Sequence, residues 1–203
     1  MQPAPEFPPL PATEQEVAGI GKLFPGSEKT VLTGVSAHPG AYKEASPGRF
    51  SLIHFSAHAV ANRESPLDSA VILSKKSDSY KLYARDVAAL PLLASVVTIS
   101  ACKSAGARAY SGEGLVGFAW AFLQAGARNI IAGLWDVSDR STSELMIRLY
   151  EELARGARPS DALRAAKLAM LHSGGPFGRP YYWAPFQVYT RTTPPPKPRR
   201  GRS

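Results

Sequence analysis

Apolar positions along this chain recur with two periods. Near-continuous apolar runs occur at "RFSLIHFSAH" (49–58), "SAVILS" (69–74), "VVTISA" (96–101) and "NIIAGLWDV" (129–137). Runs that are apolar on both faces predict strands covered on each side, and 49–58 predicts a central one. Shorter strands are expected at "KTVLTG" (29–34) and at 184–189. Between them, apolar residues spaced three and four apart predict helices at about 13–23, 114–125, 138–154 and 160–171. Thr13 followed three residues later by Glu16 has the spacing of a capping box, and Ser138 and Pro159-Ser160 are start signals of later helices. Strands alternating with helices predict one three-layer α/β domain with a mainly parallel sheet and helices on both faces.

Composition narrows the class. With 203 residues, 44% hydrophobic and 20% charged, the chain has the size and balance of one globular domain. The reading divides it into a proline-rich lead-in (1–11), a folded domain (12–190) and a basic, proline-rich tail (191–203). Five of the eight net positive charges are Arg191, Lys197, Arg199, Arg200 and Arg202, so the rest of the chain carries only +3. Nucleic acid is therefore not expected as a partner, except weakly through the tail. The first residues lack the basic and apolar blocks of a signal peptide, and no apolar run is long enough for a membrane span. A single cysteine fits a reducing compartment, so the expectation is cytoplasmic, with no membrane contact.

The chemistry concentrates in "ISACKSAGARAYSGEGLVG" (99–117), which holds both a G-x-G-x-x-G at 112–117 and the cysteine, Cys102. A dinucleotide fingerprint needs its first glycine at the strand end. Gly112 comes twelve residues after Ser100, so the glycines are read as a turn into a helix and no cofactor is expected. Cys102 follows one apolar strand immediately and His58 follows another. In a parallel sheet both would emerge on the edge where α/β sites assemble, as a Cys-His dyad requires. The alternatives are a small buried cysteine and a hydrogen-bonded core histidine. His54 and His58, four apart on a strand, would stand about 13 Å from each other, too far to share an ion. No metal site is expected, and His54 is read as a core residue. His38 and His172 carry no signal. Asp136 and Asp139 follow "NIIAGLW" (129–135) at the end of that strand. They are either acids of a specificity pocket for a basic side chain or caps of the next helix.

"LPATEQEV", "TVLTG", "IHFSAH", "SPLDSAVILS", "VTISAC", "GEGLVGFAWAFLQAGARNIIAGLWDVSD", "LMIRLYEEL" and "YYWAPFQVY" occur here in the order seen in CHAT domains. The chain resembles that family from about residue 10 to 190. These domains are bacterial relatives of caspases and separase, often fused to tetratricopeptide repeats. The resemblance implies a caspase-like fold and a cysteine endopeptidase with His58 and Cys102 as the catalytic dyad. The oxyanion would be held by the backbone N–H groups of Ala59 and Cys102, on a protein or peptide substrate. A tetratricopeptide-repeat partner is also implied, with a role in signalling or regulated proteolysis. Ala59 stands where family members usually carry glycine. The family's usual segment before "LPATEQEV", with a strand pair that completes the sheet, is expected to be missing. That absence favours the rival expectation of an inactive caspase-like interaction module.

Overall fold

The computed structural model describes residues 7, 9–62, 64–76, 79–100 and 113–192, with backbone alone for 113–117. Seven strands are described: β1 (Leu52–Phe55), β2 (Ala59–Val60), β3 (Ala70–Lys76), β4 (Ser79–Tyr83), β5 (Val96–Ile99), β6 (Asn129–Gly133) and β7 (Phe186–Thr190). The α-helices are α1 (Ala12–Gly21), α2 (Pro39–Glu44), α3 (Ala84–Ala88), α4 (Glu113–Ala125), α5 (Asp139–Ala154) and α6 (Pro159–His172). The central sheet has the order β1-β5-β6-β7, with β1, β5 and β6 parallel and β7 antiparallel to β6.

β5 explains the layering. Its residues are apolar or β-branched, all four are buried, and successive side chains must point to opposite faces. Val97 and Ile99 join Val87, Leu92, Phe118 and Phe122 on the side of α3 and α4. Val96 joins Ile20, Leu145, Leu149 and Leu163 on the side of α1, α5 and α6. Two clusters flanking one sheet make the three-layer, mainly parallel α/β architecture expected from the strand pattern.

The differences are informative. The run 69–74 becomes β3, but it leaves the central sheet and forms a separate antiparallel sheet with β2 and β4. β1 is shorter than 49–58 and is the outer strand of the described sheet, not a central one. Its two faces are covered as the pattern requires: Leu52 packs with one cluster, Ile53 and Phe55 with the other. Residues 29–33 run extended at both ends but form no described strand; Val31 and Leu32 are left exposed. Their tether is instead at the following turn, where the Ser74 N–H donates to the Ala37 carbonyl (2.8 Å) and the Ser74 hydroxyl to the Gly34 carbonyl (2.6 Å).

The capping box at Thr13 is also corrected. α1 begins at Ala12, so Thr13 lies inside the helix, and Pro11 at the N-cap offers no side-chain acceptor. Glu16 is buried, and its Oε1 lies 2.7 Å from Nε2 of His54 on β1. A buried carboxylate needs a partner, and the residue that α1 faces supplies it. Of the other expected helices, α4, α5 and α6 start within one residue of expectation, while the short α2 and α3 were not expected. Glu113 opens α4, so the backbone of Gly114 and Gly117 is helical.

Candidate active site

The site is built from the carboxyl ends of two neighbouring parallel strands. β1 and β5 pair in register, Leu52 with Val96 through Phe55 with Ile99. One step further the Ser100 N–H donates to the Phe55 carbonyl at 2.8 Å. The two strands therefore end at the same level. His58 lies three positions after Phe55, and Cys102 three positions after Ile99. Cys102 itself lies outside the described residues, as does Gly112.

His58 sits between the two sheets, past the end of β1 and directly before β2. It is buried, with 7% of its surface exposed, and the Phe7 ring lies against its imidazole at 5.5 Å between centroids. Its carbonyl accepts a hydrogen bond from the Ile72 N–H of β3 (2.8 Å). That bond fixes what Ala59 can offer. Ala59 faces Val71 and Val60 faces Ala70 in the antiparallel ladder. Because the 58–72 step carries the hydrogen bond, Ala59 occupies the non-hydrogen-bonded position beside it. The Ala59 N–H therefore points away from β3, towards the outer side of β2. β2 is the end strand of that sheet.

The two acids after β6 are engaged differently. The Asp139 carboxylate accepts from the Ala12 N–H (3.2 Å) and from the Arg140 N–H (2.9 Å), joining the starts of α1 and α5. This is the favourable placement of a negative charge at helix N-termini. The Asp136 backbone carbonyl accepts the Tyr181 hydroxyl (3.2 Å), and the Trp135 indole N–H donates to the Tyr181 carbonyl (3.1 Å). Trp135 and Tyr181 thus form a half-exposed aromatic corner on the carboxyl side of β6, a feature the sequence reading did not single out.

Beneath the strand ends runs a buried polar line that sequence patterning also missed. His54 meets Glu16 on one side and Tyr150 edge-on at 5.1 Å. The Tyr150 hydroxyl donates to Thr98 Oγ1 of β5 at 3.1 Å, with both residues fully buried. Burial raises the Tyr150 hydroxyl pKa well above its ordinary value, and the Glu16 carboxylate adds to the rise against the Thr98 hydrogen bond. The signal was available: a histidine, a threonine and a tyrosine at core-facing positions must pair with one another or with something charged. Two shallow grooves lie elsewhere, one between α1 and α5 around Gln15 and Arg148, the other beside α6 around Lys167 and Gln187; neither reaches His58. Among the described residues, no helix is long and apolar enough to cross a membrane.

Comparison with known proteins places this arrangement. Tetratricopeptide repeat protein 28 of Mus musculus is 31% identical over 107 residues. That stretch is 53% of this chain but only 4% of the mouse protein. A family model described as CHAT domain matches residues 2–191. With nearly the whole sequence inside that match, on a three-layer α/β fold, the chain belongs to the CHAT domain family.

Proposed function

We propose that this domain is a cysteine endopeptidase of caspase type in which Cys102 and His58 act as nucleophile and acid–base. One observation carries the reading: β1 and β5 pair in register and end at the same level, with His58 three positions past Phe55 and, in the sequence, Cys102 three positions past Ile99. In this mechanism His58 takes the Cys102 proton and the thiolate sulfur attacks the scissile carbonyl carbon. A C–S bond forms, and the oxyanion is met by the Ala59 and Cys102 N–H groups. The C–N bond then breaks as His58 returns the proton to the leaving amine. Water, deprotonated by His58, hydrolyses the thioester and regenerates the thiol. The outward N–H of Ala59 supports its part. Alanine keeps the donor that glycine would supply, although it gives up glycine's backbone freedom. A basic substrate side chain would meet Asp136, with Asp139 contributing through a carboxylate it shares with two N–H groups. The mouse relative's name supports a working association with tetratricopeptide repeats, and the reading keeps the protein bacterial and cytoplasmic, in regulated proteolysis.

The test is alkylation of Cys102 by iodoacetamide, which needs no substrate. An unperturbed thiol of pKa about 8.5 is only about 3% thiolate at pH 7, whereas one paired with an imidazole is mostly thiolate. Cys102 should therefore label about tenfold faster than a model thiol, after allowing for the lower intrinsic nucleophilicity of a low-pKa thiolate. His58→Ala should remove most of that excess. A Cys102 that labels equally slowly with and without His58 refutes the peptidase and leaves the inactive interaction module.

A further inference from the structure

His58 is buried, and part of its cover is an aromatic ring from the lead-in. The Phe7 ring sits on the imidazole at 5.5 Å with a 38° tilt. The path to that contact is fixed at its other end, where the Ala12 N–H is held by Asp139 at the start of α5, on the carboxyl side of β6. β1 and β6 are separated by β5, which is two strand spacings or roughly 10 Å. Five residues of extended chain reach about 17 Å. The lead-in is therefore long enough to span that separation. On the peptidase reading, a ring on His58 occupies a place that a substrate would take. "APEFPPL" (4–10) also has the composition of a short ligand: one aromatic among prolines, which lower the entropy lost on binding in extended form.

We propose that the surface over His58 is an aromatic subsite, which Phe7 of the same chain fills and which an incoming peptide must enter with a large aromatic side chain of its own. The proposal rests on the peptidase reading for its meaning as substrate selection, but the subsite is tested independently of catalysis. Aromatic stacking on an imidazole needs a flat ring, so an aliphatic side chain is a poor substitute.

The experiment is carbethoxylation of the histidines by diethyl pyrocarbonate on the full chain, mapped by mass spectrometry. His172 is exposed and sets the unhindered rate, while His38 is as buried as His58, at 7%, and reports on the integrity of the fold. In the wild type, His58 should be protected like His38. Phe7→Ala should lift His58 towards the rate of His172 and leave His38 protected; Phe7→Tyr should keep the protection. Blocked "APEFPPL" peptide added to the Phe7→Ala protein should restore protection of His58, and the same peptide with alanine for phenylalanine should not. If His58 stays protected in Phe7→Ala, or both peptides protect it equally, the aromatic subsite is refuted. That result would leave the dependence of Cys102 alkylation on His58 untouched. Conversely, if alkylation ignores His58 while Phe7→Ala still exposes it, the catalytic reading fails and the aromatic site stands as a ligand site.

Discussion

Removing one partner of the Glu16–His54 pair should destabilise the domain more than any exposed ion pair here. The two side chains are 3% and 12% exposed, with Oε1 and Nε2 2.7 Å apart, so water screens little of the interaction. Glu16→Ala leaves the buried imidazole without its partner, and stranding a buried polar group in this way costs about 1–3 kcal/mol. For a chain of this size each kcal/mol is worth about 2–4 °C in Tm, so the expected drop is roughly 2–12 °C. The outward pair Arg158–Asp161, with side chains 82% and 52% exposed, sets the contrast; Asp161→Ala there should cost no more than about 1 kcal/mol. Replacing both buried partners distinguishes lost attraction from a stranded polar group. Glu16→Leu with His54→Phe keeps the ring on Tyr150 and strands nothing, so the double variant should fall within about 1 kcal/mol of wild type. Urea unfolding followed by tryptophan fluorescence and by circular dichroism gives all the free energies, and coincident transitions license the two-state treatment. Two results would refute the reasoning. One is a Glu16→Ala cost below about 0.5 kcal/mol, the range of a solvent-exposed pair. The other is a double variant as unstable as the two singles added together.

Two further outcomes follow from the packing. Gly126, at the end of α4, has φ +124, and a Cβ there would press into the Leu92 carbonyl. Gly126→Ala should therefore cost about 2–4 kcal/mol in the same urea assay, and a neutral result would mean that the chain does not turn there as described. Burial raises the hydroxyl pKa of Tyr42 and Tyr150 above its ordinary value. Unfolded tyrosine ionises near pH 10, so above that pH the unfolded state sheds protons that the folded state keeps. Stability should be unaffected by these groups below about pH 10 and should fall as pH rises beyond it. Of the eight tyrosines, these two should ionise only as the domain unfolds, by ultraviolet titration of tyrosinate. Ionisation of all eight in one step with the fold intact would contradict the burial.

Sequence pattern by itself determined the α/β class, the long helices and the strands on which the site depends. Each of these follows from a local period or a local end signal: α6 begins at Pro159 because a fixed proline φ acts within a turn, and α5 begins directly after Ser138, although that side chain makes no capping hydrogen bond. The place of His58 just beyond β1 was legible for the same reason. Sequence could not say which strands would be neighbours, because hydrogen-bond partners far apart in the chain leave no trace in its period. Hence 69–74 reads like 96–99 yet enters a different sheet, and 29–33 reads as a strand yet finds no described partner. Glu16 is the sharpest case. Its spacing from Thr13 satisfies a local rule, but burial against β1 brings it to His54, and a buried carboxylate is governed by what it meets in space. The direction of the Ala59 N–H and the Phe7 ring on His58 likewise exist only after β2 pairs with β3 and the lead-in reaches the sheet edge. Both are contacts between segments, decided by tertiary packing and not by any neighbour in sequence.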